Sequence, residues 1–280
     1  MFDTSHPEVE RAIRAALEED IGAGDVTTRS CIPESTQASG RFLAREPMVL
    51  AGIELLPLLY EMRGGVDQLD IHRASGDWLS PGDRVATVSG KAWTLLECER
   101  TALNFVQRLS GVATLARQYA DAVKHTRCRI LDTRKTTPGL RRLEKMAVAA
   151  GGAVNHRIGL FDAILIKNNH IAAAGGVRAA LERSRAASLP IEIEVRTRAE
   201  LDEALACGAK HLLLDNLTPA EAAVWIRYID GRASVELSGG ITLETVSAYA
   251  ESGADYISCG AITHSARAMN LNFRLELHVL

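Results

Sequence analysis

Ile130–Arg141 reads Ile-Leu-Asp-Thr-Arg-Lys-Thr-Thr-Pro-Gly-Leu-Arg. An apolar strand runs into Asp132, and two cations, Arg134 and Lys135, stand side by side before a Pro-Gly turn. Adjacent like charges repel, so folding alone gives little reason for the pair. An anionic ligand offsets the repulsion. Taken alone, a solvated strand end explains the pair too, because charged side chains favour the surface. The sequence on either side decides between these readings.

Downstream, apolar runs alternate with amphipathic segments, the pattern of β-α units and a parallel sheet. Each run ends in polar or glycine residues. Arg129–Leu131 ends in Asp132, Arg134 and Lys135, and Ala163–Ile166 ends in Lys167, Asn168, Asn169 and His170. Ile191–Val195 carries Glu192 and Glu194, then Arg196. Leu212–Leu214 ends in Asp215 and Asn216, Val235–Leu237 in Ser238, Gly239 and Gly240, and Tyr256–Cys259 in Gly260. In an α/β barrel the C-terminal strand ends converge on one face, where the active site sits. A run of such ends points to a shared mouth rather than a solvated rim.

This mouth has a cationic half, Arg134, Lys135, Lys167 and the pair His156-Arg157, and an acidic half, Glu194 and Asp215. Two carboxylates on consecutive strand ends suit Mg²⁺, which takes a few carboxylates plus substrate phosphates; structural pairing with a nearby Lys is the plainer reading of either acid alone. Ser238–Gly240 and Gly260-Ala261 fit a phosphate, since glycine lets backbone N–H groups approach it, with Thr263 and Ser265 as helix-capping donors nearby.

Upstream, Pro7–Glu19 reads as a helix capped by Ser5, with Val9, Ile13, Ala16 and Leu17 on one face. Asp20–Thr28 reads as a Gly-rich loop. Gly40–Ala44, Met48–Ala51, Leu69–Ala74 and Arg84–Val88 read as strands and Ile53–Met62 as a helix. Trp93–Leu109 and Val112–Val123 read as two helices, with Arg100 and Asn104 on one face. Leu271–Val279 alternates strictly between apolar and polar, as a half-buried antiparallel strand does, and is expected to return to the N-terminal sheet.

The fold expected is therefore α/β: a C-terminal open, TIM-like α/β barrel over 111–267, and an N-terminal α+β sandwich domain over 1–110 completed by the C-terminal strand within 268–280. The chain has 280 residues, 47% apolar, with a net charge of -3 and no basic stripe, which speaks against nucleic acid. Five cysteines without a C-x-x-C pair suit reduced thiols and a cytoplasmic setting. The N-terminus lacks signal-peptide blocks, and the most apolar run, Met48–Tyr60, is broken by Glu54 and Pro57, so no membrane segment is expected.

Together, ERTALN (Glu99–Asn104), DTRKTTPGLR (Asp132–Arg141), NHRIGL (Asn155–Leu160), LIKNNHI (Leu165–Ile171), EIEV (Glu192–Val195), LLDN (Leu213–Asn216), SGGI (Ser238–Ile241), GAITHSA (Gly260–Ala266) and GDVTT (Gly24–Thr28) closely resemble the quinolinate phosphoribosyltransferase family, the decarboxylating nicotinate-nucleotide pyrophosphorylases. The resemblance implies transfer of a phosphoribosyl group from 5-phosphoribosyl-1-diphosphate to quinolinate. The products are nicotinate mononucleotide, pyrophosphate and CO₂, a step of de novo NAD synthesis requiring Mg²⁺. It implies a homodimer or higher homo-oligomer, with Arg100 reaching the partner's site. It sets Thr133, Arg134, Lys135, His156, Arg157 and Lys167 around quinolinate, Glu194 and Asp215 at the ribose and metal, and Ser238, Gly239, Gly240, Gly260, Ala261 and Thr263 at phosphate. Lys135, Lys167, Glu194 and Asp215 are the catalytic candidates. Family members often carry an acid where Asn168 stands and Asp where Asn270 stands, which bears on local packing. The rival readings are a relative acting on nicotinate or another heterocyclic acid, which would need fewer cations, and a non-catalytic phosphosugar-binding paralogue.

Overall fold

The computed structural model describes residues 2–277. In chain order its elements are α1 (Pro7–Ile21), α2 (Val26–Cys31), β1 (Gln37–Ala44), β2 (Met48–Val49), α3 (Leu56–Glu61), β3 (Gln68–Ile71), β4 (Trp78–Leu79), β5 (Arg84–Lys91) and α4 (Ala92–Val123). There follow β6 (Arg129–Leu131), α5 (Arg141–Ala150), β7 (Ile164–Ile166), α6 (Asn168–Ala174), α7 (Val177–Ser184), β8 (Ile191–Val195), α8 (Arg198–Ala206), β9 (His211–Asp215), α9 (Pro219–Ile229), β10 (Ser234–Ser238), α10 (Val246–Glu251), β11 (Tyr256–Ser258), α11 (Ala261–His264) and β12 (Leu271–Leu277).

The chain forms two compact units, one of Met1–Arg117, Thr136–Gly152 and Thr263–Leu280, the other of Gln118–Lys135 and Ala153–Ile262. The first takes in α5, which the strand-helix pattern assigns to the barrel. Arg142 of α5 pairs with Glu8 of α1 at 2.9 Å.

In the first unit, β12, β1, β5 and β3 form an antiparallel sheet in that order. The alternating C-terminal run thus completes the N-terminal sheet, with Phe273 opposite Phe42 and their rings 4.8 Å apart. Positions 278 and 279 of that expected strand lie outside the described residues. Four local expectations are corrected. Helix α1 is capped by His6, whose Nδ1 accepts the Glu8 amide, while Ser5 bonds Asp3 instead. The expected Gly-rich loop ends in α2, because Asp25 caps the Thr28 amide at 3.0 Å. The two helices expected either side of Ser110-Gly111 are one, α4. Ser110 and Thr114 face inward there, and their hydroxyls accept the amides of Ala51 and Val49 at 3.0 and 2.9 Å. Likewise, Ile53–Leu55 is a 3₁₀ turn leading into the shorter α3.

In the second unit six parallel strands run in the order β6-β11-β10-β9-β8-β7. The first strand pairs with the last, and β7 pairs only with β8 among the named strands. A single bridge, Leu131 to Val154, extends the β6 edge. The sheet therefore curls into an open barrel. Ile193, Val195, Leu212 and Leu214 are buried on its helix-facing side. Among the described residues no helix is long and apolar enough to cross a membrane. All five cysteines are free thiols, with only Cys31 exposed.

Candidate active site

Strand pairing brings several of the chosen residues together at the C-terminal strand ends. Glu194, the fourth residue of β8, is 2% exposed, and its carboxylate takes Lys167 Nζ at 3.1 Å and Arg196 Nη2 at 2.7 Å. Lys167 stands directly after β7 and caps α6. Arg196 Nη2 also lies 3.8 Å from Asp215, the last residue of β9. Asp215 pairs in register with Ser238, the last residue of β10. Thus Lys167, Glu194, Asp215 and Ser238 occupy consecutive strand ends.

Gly239 follows with φ 103°, and a Cβ there would lie 2.2 Å from Asn216 Oδ1 and 2.8 Å from its amide nitrogen. Only glycine fits that close approach. The Asn216 amide bonds Ser238 O at 2.9 Å, which ties the two strand ends together. Gly240 has φ 62° and is exposed. Gly260 and Ala261, both half-buried, follow β11. Thr263 is not an N-cap as expected: it is fully buried inside the four-residue α11, and Ser265 Oγ bonds His264 Nδ1 at 2.7 Å.

The cationic half begins after β6. Asp132 is buried and accepts the His156 amide at 2.8 Å, fixing the start of the His156-Arg157 loop against that strand end. Thr133 Oγ1 accepts the Lys135 amide at 3.1 Å, and Lys135 is exposed. Arg157 donates to Ala163 O at 3.1 Å. Burial and then the like charge of Arg134 hold the Arg157 pKa below its ordinary value. Both Arg134 and Arg157 are half-buried.

His156 sits differently from expectation. Its Nε2 lies 3.1 Å from Glu192 and 3.4 Å from Glu236, and its Nδ1 accepts the Arg157 amide at 2.7 Å. The sequence reading assigned no role to either acid. The signal was there: Glu192 is two residues before Glu194 on the same strand face, and Glu236 interrupts an apolar run. Burial opposes charge on the ring, but the bonds from Glu192 and Glu236 outweigh it and raise its pKa. Burial, with Glu236 nearby, raises the Glu192 pKa as well.

The three side chains come close enough for a metal ion. The amide aimed at Nδ1, however, puts the ring proton on Nε2, where a metal would need a lone pair. The arrangement fits a buried proton-sharing network instead. A cavity of about 300 Å³ lies beside it, lined by Ile164, Ile191, His211, Ser234 and Tyr256, the first residues of their strands. His156, Arg157 and Leu131, the last residue of β6, line it too. Arg100, on α4 of the first unit, is exposed on the same face as Asn104.

Known proteins match this arrangement along its whole length. The model for the N-terminal domain of quinolinate phosphoribosyl transferase matches residues 25–110 and that for the C-terminal domain residues 112–274. A nicotinate-nucleotide pyrophosphorylase (carboxylating) of Mycobacterium leprae is 44% identical over 94% of this chain and 95% of its own. A probable enzyme of the same name from Bacillus subtilis is 38% identical over 98% of this chain and 95% of its own. The crystal structure of NadC from Streptococcus pyogenes superposes with a TM-score of 0.93 at 36% identity, covering 100% of this chain and 99% of that one. Two domain models in the expected order and full-length relatives agree with the barrel: the chain belongs to the quinolinate phosphoribosyltransferase family.

Proposed function

We propose that the chain transfers the 5-phosphoribosyl group of 5-phosphoribosyl-1-diphosphate to quinolinate with loss of CO₂, giving nicotinate mononucleotide and pyrophosphate for NAD synthesis. The observation that carries this reading is the set of charged residues at consecutive strand ends of the barrel, with Lys167 on Glu194 and Arg196 reaching both Glu194 and Asp215. Arg134 and Arg157 add two half-buried guanidiniums, whose natural partners are planar carboxylates. A monoacid such as nicotinate would need fewer cations.

The residues divide the work. Arg134, Arg157 and Lys167 hold the two carboxylates, with Thr133, Lys135 and His156 around them, and orient the ring nitrogen towards the anomeric carbon. Ser238–Gly240, Gly260 and Ala261 form the phosphate end. As the C–O bond to pyrophosphate breaks, the ribose becomes cation-like, and Glu194 and Asp215 stabilise that charge. Their oxygens are the hard donors Mg²⁺ prefers, and Arg196 already sits as a cation between them. Mg²⁺ held by Glu194 and Asp215 would offset the charge of the departing pyrophosphate. In the second step the bond from C2 to its carboxylate breaks. Its electron pair stays on C2 beside the now-cationic ring nitrogen, CO₂ departs, and C2 takes up a proton. Lys135 or Lys167 is the donor or electrostatic partner in that step.

The reading includes a cytoplasmic homodimer in which Arg100 enters the partner's site; the shared exposure of Arg100 and Asn104 supports it. The test is product analysis with quinolinate and nicotinate side by side, with and without Mg²⁺. Nicotinate mononucleotide and CO₂ from quinolinate alone are expected. Equal turnover of nicotinate would overturn the substrate. Binding of both ligands without pyrophosphate formation would overturn catalysis.

A further inference from the structure

Arg108, in the middle of α4, has no part in the scheme above, yet its guanidinium is bonded on every side. Nε and Nη2 reach Glu144 Oε1 at 3.1 and 2.7 Å, Nη1 reaches Ala266 O at 2.6 Å, and Nη2 reaches Thr263 O at 2.6 Å and Thr137 Oγ1 at 3.3 Å. Glu144 is fully buried, and its second oxygen accepts the Thr137 amide at 3.1 Å while Oε1 takes the Thr137 hydroxyl at 2.7 Å. One ion pair therefore fastens three segments: α5, the Thr136-Thr137 stretch and the α11 stretch.

Two of those segments continue directly into chain that carries the chemistry. Thr137 is two residues past Lys135 and three past Arg134. Thr263 ends the run Gly260-Ala261-Ile262-Thr263. A guanidinium that donates in one plane to a carboxylate and two carbonyls fixes their spacing, which a lysine ammonium cannot reproduce. Glu144 is shut off from water, so a carboxylate there depends on its partner, while a quarter of the Arg108 side chain stays exposed.

We infer that Arg108 and Glu144 are positioning residues: their ion pair, through Thr137 and the carbonyls of Thr263 and Ala266, holds the quinolinate-binding loop after β6 and the phosphate-binding turn after β11 at a fixed separation. This inference rests on the proposed reaction for its kinetic consequence but not for its structural one. Neither residue touches substrate. Loosening either end lets one ligand's loop move relative to the other's, and displacements of about an ångström at a reacting centre cost on the order of a hundredfold in rate.

The test uses the full-length enzyme in three variants. Thr137→Val removes one hydroxyl and leaves the ion pair intact; Thr137→Ser restores the hydroxyl; Arg108→Lys keeps the charge and loses the fork. Two readouts are taken: amide hydrogen exchange without ligand, and kcat and KM for each substrate. In Thr137→Val, faster exchange confined to 133–140 and a KM for quinolinate raised about tenfold are expected, as for one lost hydrogen bond to a charged group. Thr137→Ser returns both towards the parent. In Arg108→Lys, exchange rises in 133–140 and 261–267 together, and kcat/KM falls between about tenfold and a hundredfold.

A uniformly destabilised protein with unchanged kinetic constants per folded molecule would show the pair to be merely structural and overturn the inference. So would unchanged exchange in both segments. A parent enzyme without phosphoribosyl transfer would sink the proposed reaction instead, while localised exchange in the variants would still support the clamp. If Arg108→Lys fails to fold, the Thr137 pair decides the matter alone.

Discussion

Replacing Gly111 with alanine sets two effects of opposite sign against each other. Gly111 lies inside α4, where alanine gains about 1 kcal/mol of intrinsic helix preference. A Cβ there, however, would stand 1.8 Å from the carbonyl oxygen of Arg267 and 2.9 Å from its carbon. Carbon and oxygen settle at about 3.3 Å or more, so the strand approach at 267–268 must retreat by roughly 1.5 Å. It is held on three sides. Arg267 pairs with Glu46 through both nitrogens, Met269 N bonds Gln107 O at 2.9 Å, and Ala266 O takes Arg108 at 2.6 Å. Overpacking costs about 1–3 kcal/mol, and a strained or lost hydrogen bond about 1 kcal/mol more. The expected balance is a net loss of about 1–3 kcal/mol once the helix gain of about 1 kcal/mol is set against it. Urea unfolding followed by far-ultraviolet circular dichroism measures it: the midpoint falls while the slope stays constant. In heat the same loss lowers the transition by about 2–12 °C for a chain of this size. An alanine variant as stable as the parent, or more stable, would refute the reasoning, because it would mean that α4 and the 267–268 backbone are not in contact.

Three further outcomes are expected. Asp215→Asn weakens the oxygen site at the β9 end and raises the Mg²⁺ concentration for half-maximal turnover on the order of tenfold, read by metal titration of initial rates. Lys135→Ala slows turnover of quinolinate with the fold intact by circular dichroism; unchanged turnover removes Lys135 from the decarboxylation step. Glu46, bonded by Arg267 and then by the Asn270 amide, has its pKa pushed down to about 2. A depressed carboxylate stabilises the fold above its unfolded pKa and loses that contribution as pH falls through the folded value. Glu46→Gln therefore costs about 1 kcal/mol at neutral pH, an exposed Arg267 screening the rest, and the difference from the parent closes between pH 4.5 and about 2 in urea melts.

The parts of this fold that are legible from sequence are those whose signal is local. The barrel strands show themselves because each is a short, mostly apolar run that stops in chemistry, as His211–Asp215 does. Strand β12 shows itself by alternation, with Leu271 and Phe273 buried and Arg274 exposed. What is illegible depends on distant partners. Ser110 and Gly111 look like a helix break because their purpose lies elsewhere: the hydroxyl satisfies Ala51, and the missing side chain admits Arg267. Asn270 holds its place through its backbone, its amide donating to Glu46 and its carbonyl accepting from the Arg45 amide. At the site, Lys167, Glu194 and Asp215 follow from strand ends alone. Glu192 and Glu236 do not, because an acid in the middle of an apolar strand acquires its meaning only when His156 arrives from another loop.

The placement of β12 bears on how the polypeptide matures during translation. Strand β1 leaves the ribosome early, but the neighbour that covers one of its sides is made about 230 residues later. At roughly 5–20 residues per second that delay is about 12–46 s, during which the side of β1 away from β5 has no native neighbour. An uncovered strand side of this kind recruits other chains. The barrel is synthesised within that interval, so the N-terminal portion finishes last although it emerges first. Messages truncated before codon 271 would yield a nascent product whose β1 is left to pair with its neighbours on the polysome.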